Sequence, residues 1–369
     1  MWVLAPVLAW IAVELLVLPL NQFTFRAWEA LSVMHQRESL PGPFYPDRAL
    51  VMAEAGDLDP RGPRDRIAHW QTDRYGYRNV PEAAADTPYD VVLVGDSHIA
   101  GSRLSQEETL SVELARLTGW SVYNHAHRGV EDLVYLLRAP RFRKGGIAPD
   151  GVVVFELRAS DLMHGVVRLP ALPSRDILDH PPPAQAGGAL EPWLVLTDRL
   201  QKANGLQWLR SRLHVRRPST ESGPRGLERH PLATPAVQQR HQTGQARTVE
   251  LAASHAAEAV RSYRDAVREV LNRELLVVLL PGPRPRRPID EAAAAWVEQV
   301  QDLGIPLLDL RGTSPTFAAL DLALPNFFHP RDSHWTPEAV RKVAVLLAER
   351  IRELRHHSPM REEPAQDAL

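Results

Sequence analysis

The sequence predicts a three-layer α/β/α domain on a parallel sheet of about five strands, with an N-terminal membrane helix ahead of it and an irregular insertion within it. Two observations carry that reading. From Tyr89 onward, short apolar runs bounded by polar, Gly or Pro residues alternate with amphipathic stretches. That is the pattern expected where a parallel sheet is covered by helices on both faces. The chain of 369 residues is also long enough to bury a sizeable core.

Taken in order, Trp2 to Leu20 is apolar apart from Glu14, about the length a hydrocarbon core of roughly 30 Å requires of a helix. Residues 1–24 therefore read as a membrane anchor, because neither the basic start nor the small-residue cleavage site of a signal peptide is clear. A buried N-terminal helix is the alternative. Arg26 and Arg37 lie on its C-terminal flank, so a positive-inside count by itself leaves the bulk of the chain cytoplasmic. Residues 25–88 follow as a membrane-proximal extension.

The first part of the core, residues 89–168, holds the strand candidates Val91 to Val94, Ser121 to Tyr123 and Val152 to Glu156. Ser105 with Glu108 makes a capping-box start for a helix over Glu107 to Leu117, and Gly119 stands where a C-terminal stop belongs. Residues 169–247 lose regularity, with Pro181-Pro182-Pro183, Gly187-Gly188 and a polar, basic run from Arg210 to Arg247. They read as a solvated insertion or lid, or as a basic surface for an anionic glycan or lipid. The second part of the core, residues 248–355, contains an Ala-rich helix over Val249 to Asn272 and the strands Leu275 to Leu280 and Pro306 to Leu308. Thr336 and Pro337 then cap a final helix whose Val340, Val343, Ala344, Leu347, Ile351 and Leu354 recur at helical spacing. Residues 356–369 form a polar tail.

Forty-three basic residues against 45 acidic ones give a net charge of −2, without the basic excess of a nucleic-acid binder. Cysteine is absent, which excludes disulfides, thiolate metal sites and a cysteine nucleophile. Covalent catalysis needs another residue. Gly95-Asp96-Ser97 follows the apolar run Val91-Val92-Leu93-Val94, where an open α/β sheet delivers reactive groups. A serine hydroxyl needs an adjacent base, itself oriented by a carboxylate. Asp332-Ser333-His334 near the other end supplies both, two residues apart on a loop feeding the last helix.

Gly95-Asp96-Ser97 early and Asp332-x-His334 late, in that order on a five-stranded α/β core, resemble the SGNH (GDSL-like) hydrolase superfamily, whose sheet is flavodoxin-like. Asp332-Ser333-His334-Trp335-Thr336 is closer to the AlgX/AlgJ-like and DHHW-like proteins associated with acetylation of bacterial exopolysaccharides, and Thr72-Asp73-Arg74-Tyr75-Gly76-Tyr77-Arg78-Asn79 is similar to a stretch found in them. The resemblance implies a triad of Ser97, His334 and Asp332 that moves an acyl group, acetyl in the first instance, between an acyl ester and a polysaccharide or water, with no cofactor. It implies a periplasmic or external domain on a single-pass inner-membrane anchor, beside a membrane-bound O-acyltransferase. It further implies an oxyanion hole made by Ser97, Gly129 and, in place of the usual asparagine, Ser160, with His98, Arg158 and Trp335 as candidate substrate-lining residues.

Two other readings remain at this point. The missing asparagine fits a non-catalytic glycan-binding or scaffold subunit of the same fold. Asp96-x-His98-x-x-Gly101 echoes the opening ligand motif of calcineurin-like metallophosphoesterases, but no Gly-Asp-x-x-Asp and no Gly-Asn-His-Glu/Asp string follows. The His125/His127 pair lacks that context, and no metal is expected.

Overall fold

The computed structural model describes residues 4–16, 26–32, 42–59, 62–80, 87–127, 129–158, 235–281 and 287–357. Helix α1 covers Leu4–Leu16, with Leu8, Trp10 and Val13 exposed. Its 13 residues span about 20 Å at 1.5 Å per residue. Among the described residues no helix is long and apolar enough to cross a membrane. Residues 1–3 and 17–24 of the expected anchor lie outside the described residues, as does the insertion from 169 to 234.

Five parallel strands form the central sheet: β3 (Tyr89–Val94), β4 (Val122–Asn124), β5 (Ile147–Arg158), β6 (Glu274–Leu280) and β7 (Leu307–Asp309), ordered β4-β3-β5-β6-β7 in space. Each falls on one of the apolar runs, which are continuous because both faces of a parallel sheet are covered. Alternate residues serve opposite layers. Val92, Val94, Val153, Phe155 and Val277 pack on one side against α4 (Val130–Arg138), α5 (Pro140–Arg143), α6 (Pro235–Leu271) and α7 (Arg287–Asp302). On the other side Val91, Leu93, Val152, Val154 and Leu276 meet α3 (Leu110–Thr118), α8 (Pro315–Ala318), α9 (Leu324–Phe327) and α10 (Pro337–His357). The chain steps from β3 outward to β4 and returns past β3 to β5. The carboxyl ends of β3 and β5 therefore flank a crevice at a topological switch point, where such sheets bind their ligands.

Two boundaries differ from expectation. Ser105 and Glu108 form a true capping box, but it closes a 3₁₀ turn over Gln106–Glu108, and α3 starts only at Leu110. Gly119 ends α3 at φ 75°, a left-handed stop. Helix α6 begins at Pro235, inside the stretch expected to be irregular up to Arg247.

The extension before the core carries structure that the apolar pattern did not signal. Strands β1 (Ala49–Glu54) and β2 (Arg66–Gln71) pair antiparallel, and with the short helix α2 (Ala27–Leu31) they enclose Ala27, Phe44, Met52, Ala68 and Trp70. Glu54 is buried there, accepting the Ala27 N–H at 2.5 Å, and burial pushes its carboxyl up to about 7. Arg78 pins this unit to the core. Its guanidinium lies 3.7 Å from the Trp70 ring centroid and donates to the carbonyls of His69, Ala100, Gly101 and Leu104. Asp73 takes the N–H groups of Tyr75 and Tyr77, the Asn79 amide and the Tyr123 hydroxyl. Thr72 to Asn79 is therefore a knot joining the extension, the loop that follows β3, and β4.

Candidate active site

Ser97 sits in the turn that leaves β3. Gly95 must be glycine for this turn to lie where it does, because an added Cβ would stand 2.3 Å from Glu156 Oε2 and 2.6 Å from Ile99 Cγ1. That close approach lets Glu156, buried at the end of β5, accept the Asp96 N–H at 2.9 Å. The Ser97 carbonyl accepts Ser102 N–H at 2.8 Å, turning the chain back on itself. The Ser97 N–H has no acceptor among the described residues, leaving it open to a developing oxyanion.

The partner loop closes on itself between α9 and α10. Phe328 and Trp335 form an antiparallel bridge, His329 N–H donates to His334 O at 2.9 Å, and Asp332 N–H donates to His329 O at 3.0 Å. Asp332 Oδ1 then accepts both the His334 N–H at 2.8 Å and its Nδ1 at 2.5 Å. An aspartate bonding the backbone two residues on is a local turn, and here it also fixes the imidazole. His334 Nε2 lies 2.8 Å from Ser97 Oγ. The three residues expected to act together, Ser97, His334 and Asp332, are brought into one hydrogen-bonded series.

The electrostatics suit a neutral base. Burial lowers His334 below its ordinary value, the Asp332 hydrogen bond opposes this, and the nearby His98 lowers it further. Burial works against ionisation of Asp332, but the His334 bond and charge and the Asp57 N–H outweigh it and hold the carboxyl well below the usual range.

Asp57, between β1 and β2, is a residue the sequence reading missed. Its N–H donates to Asp332 Oδ2 at 2.9 Å, its Oδ1 accepts Ser333 N–H at 2.8 Å, and its Oδ2 takes the Ser333 hydroxyl. An Asp-Leu-Asp in a polar loop carries no signal of this; the partners lie 275 and 276 residues away.

Several expectations are corrected. The Gly129 N–H is engaged by Gly95 O at 2.9 Å, so as placed it does not supply an oxyanion donor; its φ of 71° starts α4 instead. His98 and Trp335 do not line an open surface. His98 is buried, with Nδ1 2.8 Å from Asp96 Oδ1 and Nε2 3.0 Å from Ser333 O, and Trp335 is buried against Phe327. Arg158 is 42% exposed at the crevice, with Nε 2.9 Å from Asp96 Oδ2. Ser160 lies outside the described residues. His125 is buried and bonded to Tyr77 at 3.2 Å; it belongs to the knot.

Among the described residues, two trios of side chains have ligand atoms within 4.8 Å of one another: Asp57, Asp332 and His334, and Asp96, His98 and Glu156. In each trio the histidine already faces an aspartate of its own trio at hydrogen-bond distance.

Fold and site together define an α/β protein with a serine, histidine and aspartate aligned at the carboxyl edge of a parallel sheet. No family model and no curated relative matches the chain. A solved structure aligns with 73% of this chain and 99% of its own at 10% identity, with a TM-score of 0.36, a distant likeness.

Proposed function

We propose that the chain is a serine-dependent O-acyltransferase or acyl esterase of the SGNH type, acting on a cell-surface or exported polysaccharide. The observation that carries this reading is the continuous series Ser97 Oγ, His334 Nε2, His334 Nδ1, Asp332 Oδ1, with distances of 2.8 and 2.5 Å. His334 takes the Ser97 proton as Oγ attacks the acyl carbonyl, the Ser97 N–H receives the oxyanion, and His334 gives the proton to the departing alcohol oxygen as the ester C–O bond breaks. The acyl-enzyme then passes its acyl group, acetyl in the first instance, to a sugar hydroxyl or to water. The strand order, with the first core strand between the second and third, supports a flavodoxin-like, SGNH-type sheet. In this reading the apolar N-terminus anchors the domain to the outer face of the inner membrane beside a membrane-bound O-acyltransferase.

The engaged Gly129 N–H favours a second reading, a scaffold or glycan-binding subunit with weak or no turnover. A fluorophosphonate probe separates the two. On the first reading, intact-mass analysis finds one adduct on the wild type, none on Ser97→Ala, and a rate at least about 10³-fold lower on His334→Ala. Equal labelling of all three proteins, or none of the wild type, overturns the catalytic reading.

A further inference from the structure

We propose that His98 is a positively charged positioning residue: as an imidazolium it donates from Nδ1 to Asp96 and from Nε2 to the Ser333 carbonyl, tying the 332–334 loop over Ser97 and setting positive charge against the His334 ring. The proposal rests on the reading of Ser97 as nucleophile and assigns a role to the residue beside it.

A neutral imidazole has one donor nitrogen and one acceptor. His98 has acceptors at both. Asp96 Oδ1 stands 2.8 Å from Nδ1 and also receives the His98 backbone N–H at 2.8 Å, while Arg158 Nε lies 2.9 Å from Asp96 Oδ2. Ser333 O, 3.0 Å from Nε2, is a carbonyl and can only accept. Either neutral tautomer would set a lone pair against a lone pair inside a buried site, and only the doubly protonated ring satisfies both contacts.

The charged groups around the ring agree. Glu156, from β5, has Oε1 3.8 Å from Nδ1, and burial and the Asp96 charge push its carboxyl well up. Asp96 and Arg158 complete the side toward the sheet. On the other side stands His334, ring centroids 4.9 Å apart, with Asp332 and Asp57 beyond it. A like charge at that distance disfavours a second proton on His334. The base then stays neutral to lower pH, and once protonated it is a stronger acid toward the leaving group.

Two measurements test this. In ¹⁵N-resolved spectra of the wild type at pH 7.5, with His98 assigned by its loss in His98→Gln, both ring nitrogens are expected to carry protons; a neutral pattern overturns the proposal whether or not the protein is an enzyme. His98→Gln keeps a donor for Ser333 O but loses the charge. The acid limb of its Ser97 labelling rate should therefore move about one pH unit upward, while His98→Ala, losing the tether as well, should label roughly 10- to 100-fold more slowly at every pH. An unmoved limb in His98→Gln, with wild-type Ser97 labelled, overturns the proposal alone. A wild type that never labels overturns the parent reading and leaves the spectra to decide His98.

Discussion

Asp57→Ala separates the N-terminal extension from the loop that holds His334. The substitution removes two bonds to Ser333, from its N–H at 2.8 Å and from its hydroxyl, while the Asp57 N–H that donates to Asp332 survives. Hydrogen bonds to a charged acceptor are worth about 1.5–3 kcal/mol each, so the upper bound is about 3–6 kcal/mol. The Asp57 side chain is 19% exposed, and water replaces part of what is lost, so about 2–3 kcal/mol is the working figure. Borne by the population of correctly placed loop, that becomes a roughly 30- to 150-fold fall in Ser97 labelling rate, since each 1.36 kcal/mol is a factor of ten. Asp57→Asn keeps an acceptor for the Ser333 N–H and a polar partner for its hydroxyl, and should lose less than about tenfold. The assay is fluorophosphonate labelling followed by intact mass, with a melting curve alongside to confirm that each variant is folded. An Asp57→Ala protein that labels within about threefold of the wild type would falsify the claim that the extension holds the 332–334 loop against Ser97.

Three further outcomes follow from buried groups. Glu54 is raised to about 7, so between pH 4.5 and 7 the folded state keeps a proton that the unfolded state releases. Stability conferred on the wild type relative to Glu54→Gln then falls as pH rises through that window; urea unfolding at pH 5 and pH 8 should reveal it, and parallel curves would count against it. Burial and the Arg103 charge hold His329 at about 4, so the unfolded state takes up the proton first as pH drops below 6.5. His329→Gln should flatten the acid loss of stability between pH 6.5 and 4 by up to about 1.4 kcal/mol per pH unit, and an unchanged slope would rule this out. Gly95→Ala brings a Cβ against Glu156 Oε2 and Ile99 Cγ1. It should cost about 1–3 kcal/mol and suppress Ser97 labelling by displacing the Asp96–Glu156 contact. A melting temperature and labelling rate equal to the wild type would show that the turn has room after all.

What the sequence determined by itself is what short windows carry. The five core strands were legible because a strand buried on both faces has to be apolar along its whole length, and β6, with six successive buried residues, is the clearest case. Ser97 and the Asp332-x-His334 pair were legible because a turn after a strand and a two-residue spacing are local facts. Strands β1 and β2 were not, since each shows a mixed face: Val51 and Ile67 point to solvent while Glu54 is buried. The use of each polar group was also decided only in three dimensions. Asp57 reads as a loop acid until it meets Ser333, Gly129 as an oxyanion donor until its N–H finds Gly95, and His98 as a substrate-lining residue until a carboxylate and a carbonyl stand at its two nitrogens. Apolar periodicity is repeated along one stretch of chain, whereas a donor's role depends on which acceptor the fold brings to it from elsewhere in the chain.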